Sequence, residues 1–270
     1  MTPAPRHAHA PAATPADRAP AGLARVLFLL SALLVGAAFS QPLASVPATT
    51  YAPFYPVAGE GPHEVPAFEI AVVPVTNADY LAFVRDHPDW AKGAPPEIFA
   101  DPGYLAHWAG PTDLGDTPAD AAVTNVSWFA AGAYCDARGL RLPSEDEWEV
   151  AARAGVDRAD ASDDPVVQAE RLAAYARRNA APPRVGRAAP NLYGVHDLHG
   201  LVWEWVEDPW SGIVQGDSRN IGDRDVARVC GGASLGARDR DDYPAFLRHA
   251  VRTALGPASV TGSVGFRCAR

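Results

Sequence analysis

The sequence predicts a single α+β domain of about 230 residues with a large irregular fraction, and three observations lead to it. Capped, amphipathic helical patterns fill the stretch up to residue 178, whereas beyond Pro190 the pattern changes to short strands and turns. No tandem repeat or low-complexity tract follows residue 66. An apolar content of 48% against 20% charged residues is enough to bury a core in a chain of 270 residues, so one domain suffices.

Residues 1–40 fall outside that domain. Val26 to Phe39 is an apolar run of signal-peptide length behind Arg18 and Arg25, and Ala38-Phe39-Ser40 offers small residues where a signal peptidase reads. The expectation is a signal peptide over 1–40 and a mature chain starting at Gln41, exported to the periplasm or outside the cell. The alternative is an uncleaved anchor, although the run is short of the roughly 20 residues a membrane span needs. Removing three Arg and one Asp takes the formal charge from −9 to −11, and Lys92 is the only lysine. That acidity argues against nucleic acid or anionic lipid as partner.

Residues 41–67, with Pro42, Pro47, Pro53, Pro56, Pro62 and Pro66, read as an extended Pro-rich segment laid on the surface. The domain proper, 68–270, starts with a strand-like run from Phe68 to Val73. Thr76-Asn77 then caps a helix over Asn77 to His87 with Tyr80, Phe83 and Val84 on one face, and Pro88 ends it. Residues 88–123 hold six prolines and four glycines among Trp90, Phe99, Tyr104 and Trp108, a long excursion that needs aromatic anchors. Ser127 opens a helix that runs to Arg138, with Trp128, Ala131 and Cys135 along one stripe. Ser144-Glu145-Asp146-Glu147 is a capping box for a helix from Glu145 to Ala154. Val166 to Arg178 reads as a polar amphipathic helix. Strands are expected at Asn191–Val195, Val202–Val206, Val226–Cys230, Leu247–Thr253 and Val264–Ala269.

Glycine-rich phosphate loops, His-Glu-x-x-His, Cys-x-x-Cys and Gly-x-Ser-x-Gly are all absent, and the enzyme classes they mark lose support. Cys135, Cys230 and Cys268 are too few for a zinc ribbon, and one bridge plus one free thiol is the simplest arithmetic. His196 and His199, three apart, have the spacing to share a metal only on a helix, and none is predicted there. The densest segment runs from Asp197 to Trp205. An acidic side chain at each end of its glycine turn, with loop carbonyls between, has the makings of a hard-cation site. The rival interpretation, favoured by spacing alone, is a tryptophan-anchored strand with a solvated Glu204.

Five strings in order, Pro74-Val75-Thr76-Asn77, Val126-Ser127-Trp128-Phe129 with Ala133-Tyr134-Cys135, Arg141 to Glu149, His199 to Trp205, and Gly265-Phe266-Arg267-Cys268, resemble the formylglycine-generating enzyme family, also called the sulfatase-modifying factor domain. The resemblance spans about residues 68 to 270 and implies a C-type-lectin-like domain. It implies a Cys135 to Cys268 disulfide, worth up to about 4 to 5 kcal/mol in the chain-entropy model. It also implies a calcium site from the side chains of Asp197 and Glu204 and the carbonyls of Gly200 and Val202.

The sequence departs from the family where the chemistry is done. Formylglycine-forming members hold Cu(I) between two cysteines soon after a Gly-Gly-Ser, and here Cys230-Gly231-Gly232-Ala233-Ser234 is followed by no cysteine up to Pro244, with Gly236 and Pro244 near the expected positions. Neither offers the soft donor Cu(I) requires. What remains is Cys230 and His249, the candidate catalytic residues for a Cu or Fe site, beside Asp239, Asp241, Asp242, Arg248 and Arg252. Cys230 can equally be a buried inert thiol. Two functions are expected: an oxidative or metalloenzyme-maturation role in the periplasm, for example beside a copper nitrite reductase, or a non-catalytic module whose groove, lined by Trp90, Trp108, Arg248 and Arg252, holds a peptide or protein. Formylglycine generation on a sulfatase is the third. A monomer without stable membrane insertion is expected.

Overall fold

The computed structural model describes residues 41–54, 61–177, 184–207 and 242–270. The signal-like residues 1–40, the expected strand Val226–Cys230, Cys230 itself, Asp239 and Asp241 lie outside the described residues. No described helix is long and apolar enough to cross a membrane.

The segment expected on the surface is instead the edge of the core. Strand β1 (Leu43–Val46) pairs antiparallel with β4 (Phe68–Ala71), and β2 (Thr49–Tyr51) with β3 (His63–Val65). Alternation explains it: Ala44, Val46, Tyr51 and Val65 point inward while Ser45 and Thr50 face out, and Pro47, Pro53, Pro62 and Pro66 sit between strands where no ladder donor is lost.

Helix α1 (Asn77–Asp86) starts at Thr76, whose hydroxyl accepts from the Asp79 amide while the Asp79 carboxylate accepts from the Thr76 amide. Helix α2 (Trp128–Asp136) is capped by Ser127 and α3 (Glu145–Arg153) by the box of Ser144 with Glu147. Helix α4 (Pro165–Ala176) begins behind Asp164. Asn191–Val195, expected as a strand, is a turn in which the Asn191 carboxamide accepts from the amides of Tyr193 and Val195. Strand β5 (Trp203–Trp205) pairs parallel with β6 (Val264–Phe266).

Leu247–Thr253, also expected as a strand, lies inside helix α5 (Tyr243–Ala254). Asp242 caps it through the Ala245 amide, and Pro244 sits in its first turn, where no donor is needed. Its buried face is Ala245, Arg248, His249 and Arg252, spaced three, one and three apart as a helix requires.

Two apolar clusters make the core. One gathers Tyr80, Phe83, Tyr104, Trp108, Tyr134, Trp205 and Phe266 beneath α1, α2 and the aromatic excursion. The other packs β1–β4 against Trp148, Val150, Leu198 and Val206. Cys135 of α2 and Cys268 after β6 are joined by a disulfide, Cα atoms 5.6 Å apart.

Candidate functional site

Charge is concentrated where α3, α5 and β5 meet. Glu149, buried on α3, receives Nε and Nη2 of Arg248 at 2.6 to 3.1 Å and Nη1 of Arg252 at 2.7 Å. Glu145, one turn earlier, lies 2.8 Å from Nδ1 of His249, whose ring stacks on Phe54 at 5.3 Å. Burial pushes the Glu149 carboxyl up, but Arg248 and Arg252 more than offset this and hold it well below the usual carboxylate range.

Arg248 continues the network outward. Its Nη1 donates to the Tyr175 hydroxyl at 3.2 Å, which lies 2.7 Å from Nδ1 of His199. Nε2 of His199 is 2.8 Å from the Ala152 carbonyl, a partner that only accepts, so Nε2 carries the proton and Nδ1 accepts from Tyr175. Burial, followed by the nearby Arg248 and Arg171, lowers the His199 pKa well below its ordinary value. With both nitrogens engaged and His196 bonded through Nδ1 to Ala188, the two histidines do not share a metal.

The residues expected to line one groove lie at separate places: Trp108 borders a cavity with Asn77 and His107, whereas Arg248 and Arg252 border another with Trp148 and Trp203. Trp108 is 1% exposed and donates its indole N–H to Asn77, Trp90 packs at the edge of the same cluster, and Arg248 and Arg252 are spent on carboxylates. His249 is buried in the same network, and Asp242 is a helix cap. Sequence reasoning missed Glu145 and Glu149 as partners of those cations. The available signal was their spacing, which puts both on the face of α3 that carries Trp148 and Ala152.

Glu204 is not solvated either: its side chain and that of Arg267 are fully buried and paired. Oε2 accepts from Nε of Arg267 and from the Trp148 indole, both at 2.7 Å, and Oε1 accepts from Nη2 of Arg267 at 2.8 Å. One lone pair of Oε1 therefore remains. Asp197, buried at φ 60°, accepts from the Gly186 and Ala188 amides, and the Gly200 and Val202 carbonyls accept from no described group. The implied calcium donors are oxygens only, with capacity left on each, and this chemistry fits a hard cation whose shell is completed by water. Among the described residues no group of three or more His, Cys, Asp or Glu side chains is placed to hold a metal.

The chain matches the sulfatase-modifying factor enzyme 1-like domain over residues 48–270 and belongs to that family. It is 31% identical to the inactive C-alpha-formylglycine-generating enzyme 2 of Mus musculus over 259 residues, covering 78% of each chain. Against the formylglycine-generating enzyme of Thermomonospora curvata the identity is 30% over 280 residues, covering 80% of this chain and 86% of that one. The hercynine oxygenase of Mycolicibacterium smegmatis is 32% identical over 174 residues, 56% of this chain and 40% of that protein.

Proposed function

We propose that this chain is an exported member of the family that makes no formylglycine and serves as a polypeptide-recognising accessory, for a periplasmic metalloenzyme such as a copper nitrite reductase. One observation carries the reading. Of three cysteines, Cys135 and Cys268 are bonded to each other, so Cys230 is the single thiol left for a soft metal. A Cu(I) ion held between two thiolates cannot be assembled within the chain. The fate of Arg248, His249 and Arg252 points the same way, because side chains buried against Glu145 and Glu149 are structural. Family membership does not oppose the reading, since a scaffold outlives the few side chains that do its chemistry.

Calcium belongs to this reading as a structural ion on the Asp197 and Glu204 side chains and the Gly200 and Val202 carbonyls. It would supply rigidity to the turn before β5.

Metal analysis of the mature chain from Gln41, with thiols counted, tests the proposal. One free thiol, no stoichiometric Cu or Fe, and no aldehyde from a Cys-x-Pro-x-Arg peptide are expected, together with saturable binding of purified copper nitrite reductase in interferometry. Stoichiometric copper or iron lost in Cys230→Ala would replace it with an oxidative role for Cys230.

A further inference from the structure

A cavity of about 310 Å³ lies between α4 and the turn 188–199, with apolar walls from Ala154, Val156, Val167, Ala174, Val195 and Leu198. Arg171 of α4 also lines it and is 5% exposed. Its Nη2 donates to the carbonyls of Arg153 and Ala154, at 3.0 and 3.3 Å, which close the C-terminal end of α3. Nε and Nη1, three of the five N–H donors, reach no described group, and no described carboxylate forms an ion pair with the guanidinium.

The carboxylates close by are committed elsewhere. Glu149 belongs to Arg248 and Arg252, Asp242 to the N-terminus of α5, Asp197 to two backbone amides, and Asp164 to the N-terminus of α4 and to Arg158. Asp157 and Glu170 at the mouth are exposed and solvated. The Nε and Nη1 nitrogens of Arg171 are not among the buried atoms that lack a partner, so they open onto the cavity, where an anion from outside the chain can reach them. Burial, then the neighbouring Arg248, already lowers the Arg171 pKa.

We propose that this cavity binds a small monocarboxylate with an apolar body, its anionic end held by the idle donors of Arg171 and its tail against the walls named above. Size and polarity match such a ligand: pockets of roughly 300 Å³ and more, apolar except for a few fixed polar groups, are the usual form of small-molecule sites. Arg158 also borders the cavity but is paired with Asp163 and Asp164, so Arg171 is left to balance a single negative charge, whereas a dianionic phosphate would keep an uncompensated charge among apolar walls. The site stands apart from the accessory role proposed above and does not depend on it.

The test is calorimetry and thermal unfolding of the full chain with hexanoate, against hexanamide as an uncharged isostere. Saturable binding of hexanoate with a rise in Tm is expected, and at least tenfold weaker binding of hexanamide. Arg171→Met should weaken hexanoate binding at least tenfold, and Val167→Phe, which adds volume to the cavity and leaves the Arg171 charge in place, should do the same. A purely helix-capping role for Arg171 would not separate hexanoate from hexanamide. No binding of hexanoate, equal binding of the amide, or undiminished binding in Val167→Phe overturns the proposal, even where Arg171→Met fails to fold.

Discussion

Arg267 and Glu204 face each other with both side chains fully out of solvent, and their two-point ion pair ties the chain after β6 to the middle of β5. Arg267 also donates to the carbonyls of Ala71 and His196, both at 2.9 Å, so one side chain joins β4, the turn before β5 and the C-terminal segment. Breaking such a pair from one side leaves the other charge buried alone. Glu204→Gln is therefore expected to cost about 3 to 5 kcal/mol in urea unfolding, and Glu204→Leu with Arg267→Leu to cost less than either single change. Additive losses would show that the pair is not coupled.

Glu149 sets the acid limit. Its folded pKa is depressed below the unfolded value of 4.5, so its contribution is complete above that value and fades as pH falls toward the folded pKa. Stability should drop steeply below about pH 4.5, and Glu149→Gln should flatten that fall while lowering stability at neutral pH, because Arg248 and Arg252 lose their shared partner. An unchanged acid slope in the variant would remove Glu149 from the account.

His199 behaves in the opposite sense to a histidine that gains an acidic partner. Its folded pKa lies below the unfolded value of 6.5, so the stability it contributes is present above 6.5 and falls as pH drops below it. NMR titration should show a ring with its proton on Nε2 that stays neutral through pH 6.5, the ordinary histidine value. An imidazolium signal for His199 at pH 6.5 would contradict the chain of bonds through Tyr175 and Arg248.

Much of this was legible in the sequence, and what was not has physical causes. Thr76, Ser127 and Ser144 announce their helices because a cap is a local device, readable within four residues. Helix α5 was misread because its inward face carries Arg248, His249 and Arg252, and hydrophobic periodicity is blind to a face buried by charge pairing with α3. The burial of Glu204 was hidden for the same reason: its partner Arg267 is 63 positions away, and no local pattern says that an acid between two tryptophans is buried. Val46 and Tyr51 were hidden among prolines, although the alternation around them was present.

Cys135 and Cys268 close a loop of sequence separation 133 and pin α2 to the C-terminal segment. Replacing both by alanine should cost up to about 4 to 5 kcal/mol. Thiol titration of the unfolded chain should find one thiol before reduction and three after. Three before reduction would deny the bridge, and with it the isolation of Cys230.

Gly200 carries the last test. At φ 84° it sits in the left-handed region, and an added Cβ would lie 2.6 Å from the Ala174 Cβ and 2.8 Å from the Ala174 carbonyl carbon. Gly200→Ala therefore combines backbone strain of about 1 to 2 kcal/mol with a clash against the backbone of α4. The turn has to move away from α4, and Asp197, Val202 and Glu204 are connected through it. If those residues hold calcium, millimolar Ca²⁺ should raise the Tm of the native chain, and both Gly200→Ala and Asp197→Ala should abolish that rise. Asp197→Ala alone removes a ligand without touching α4, so a calcium response surviving in that variant would place the ion elsewhere.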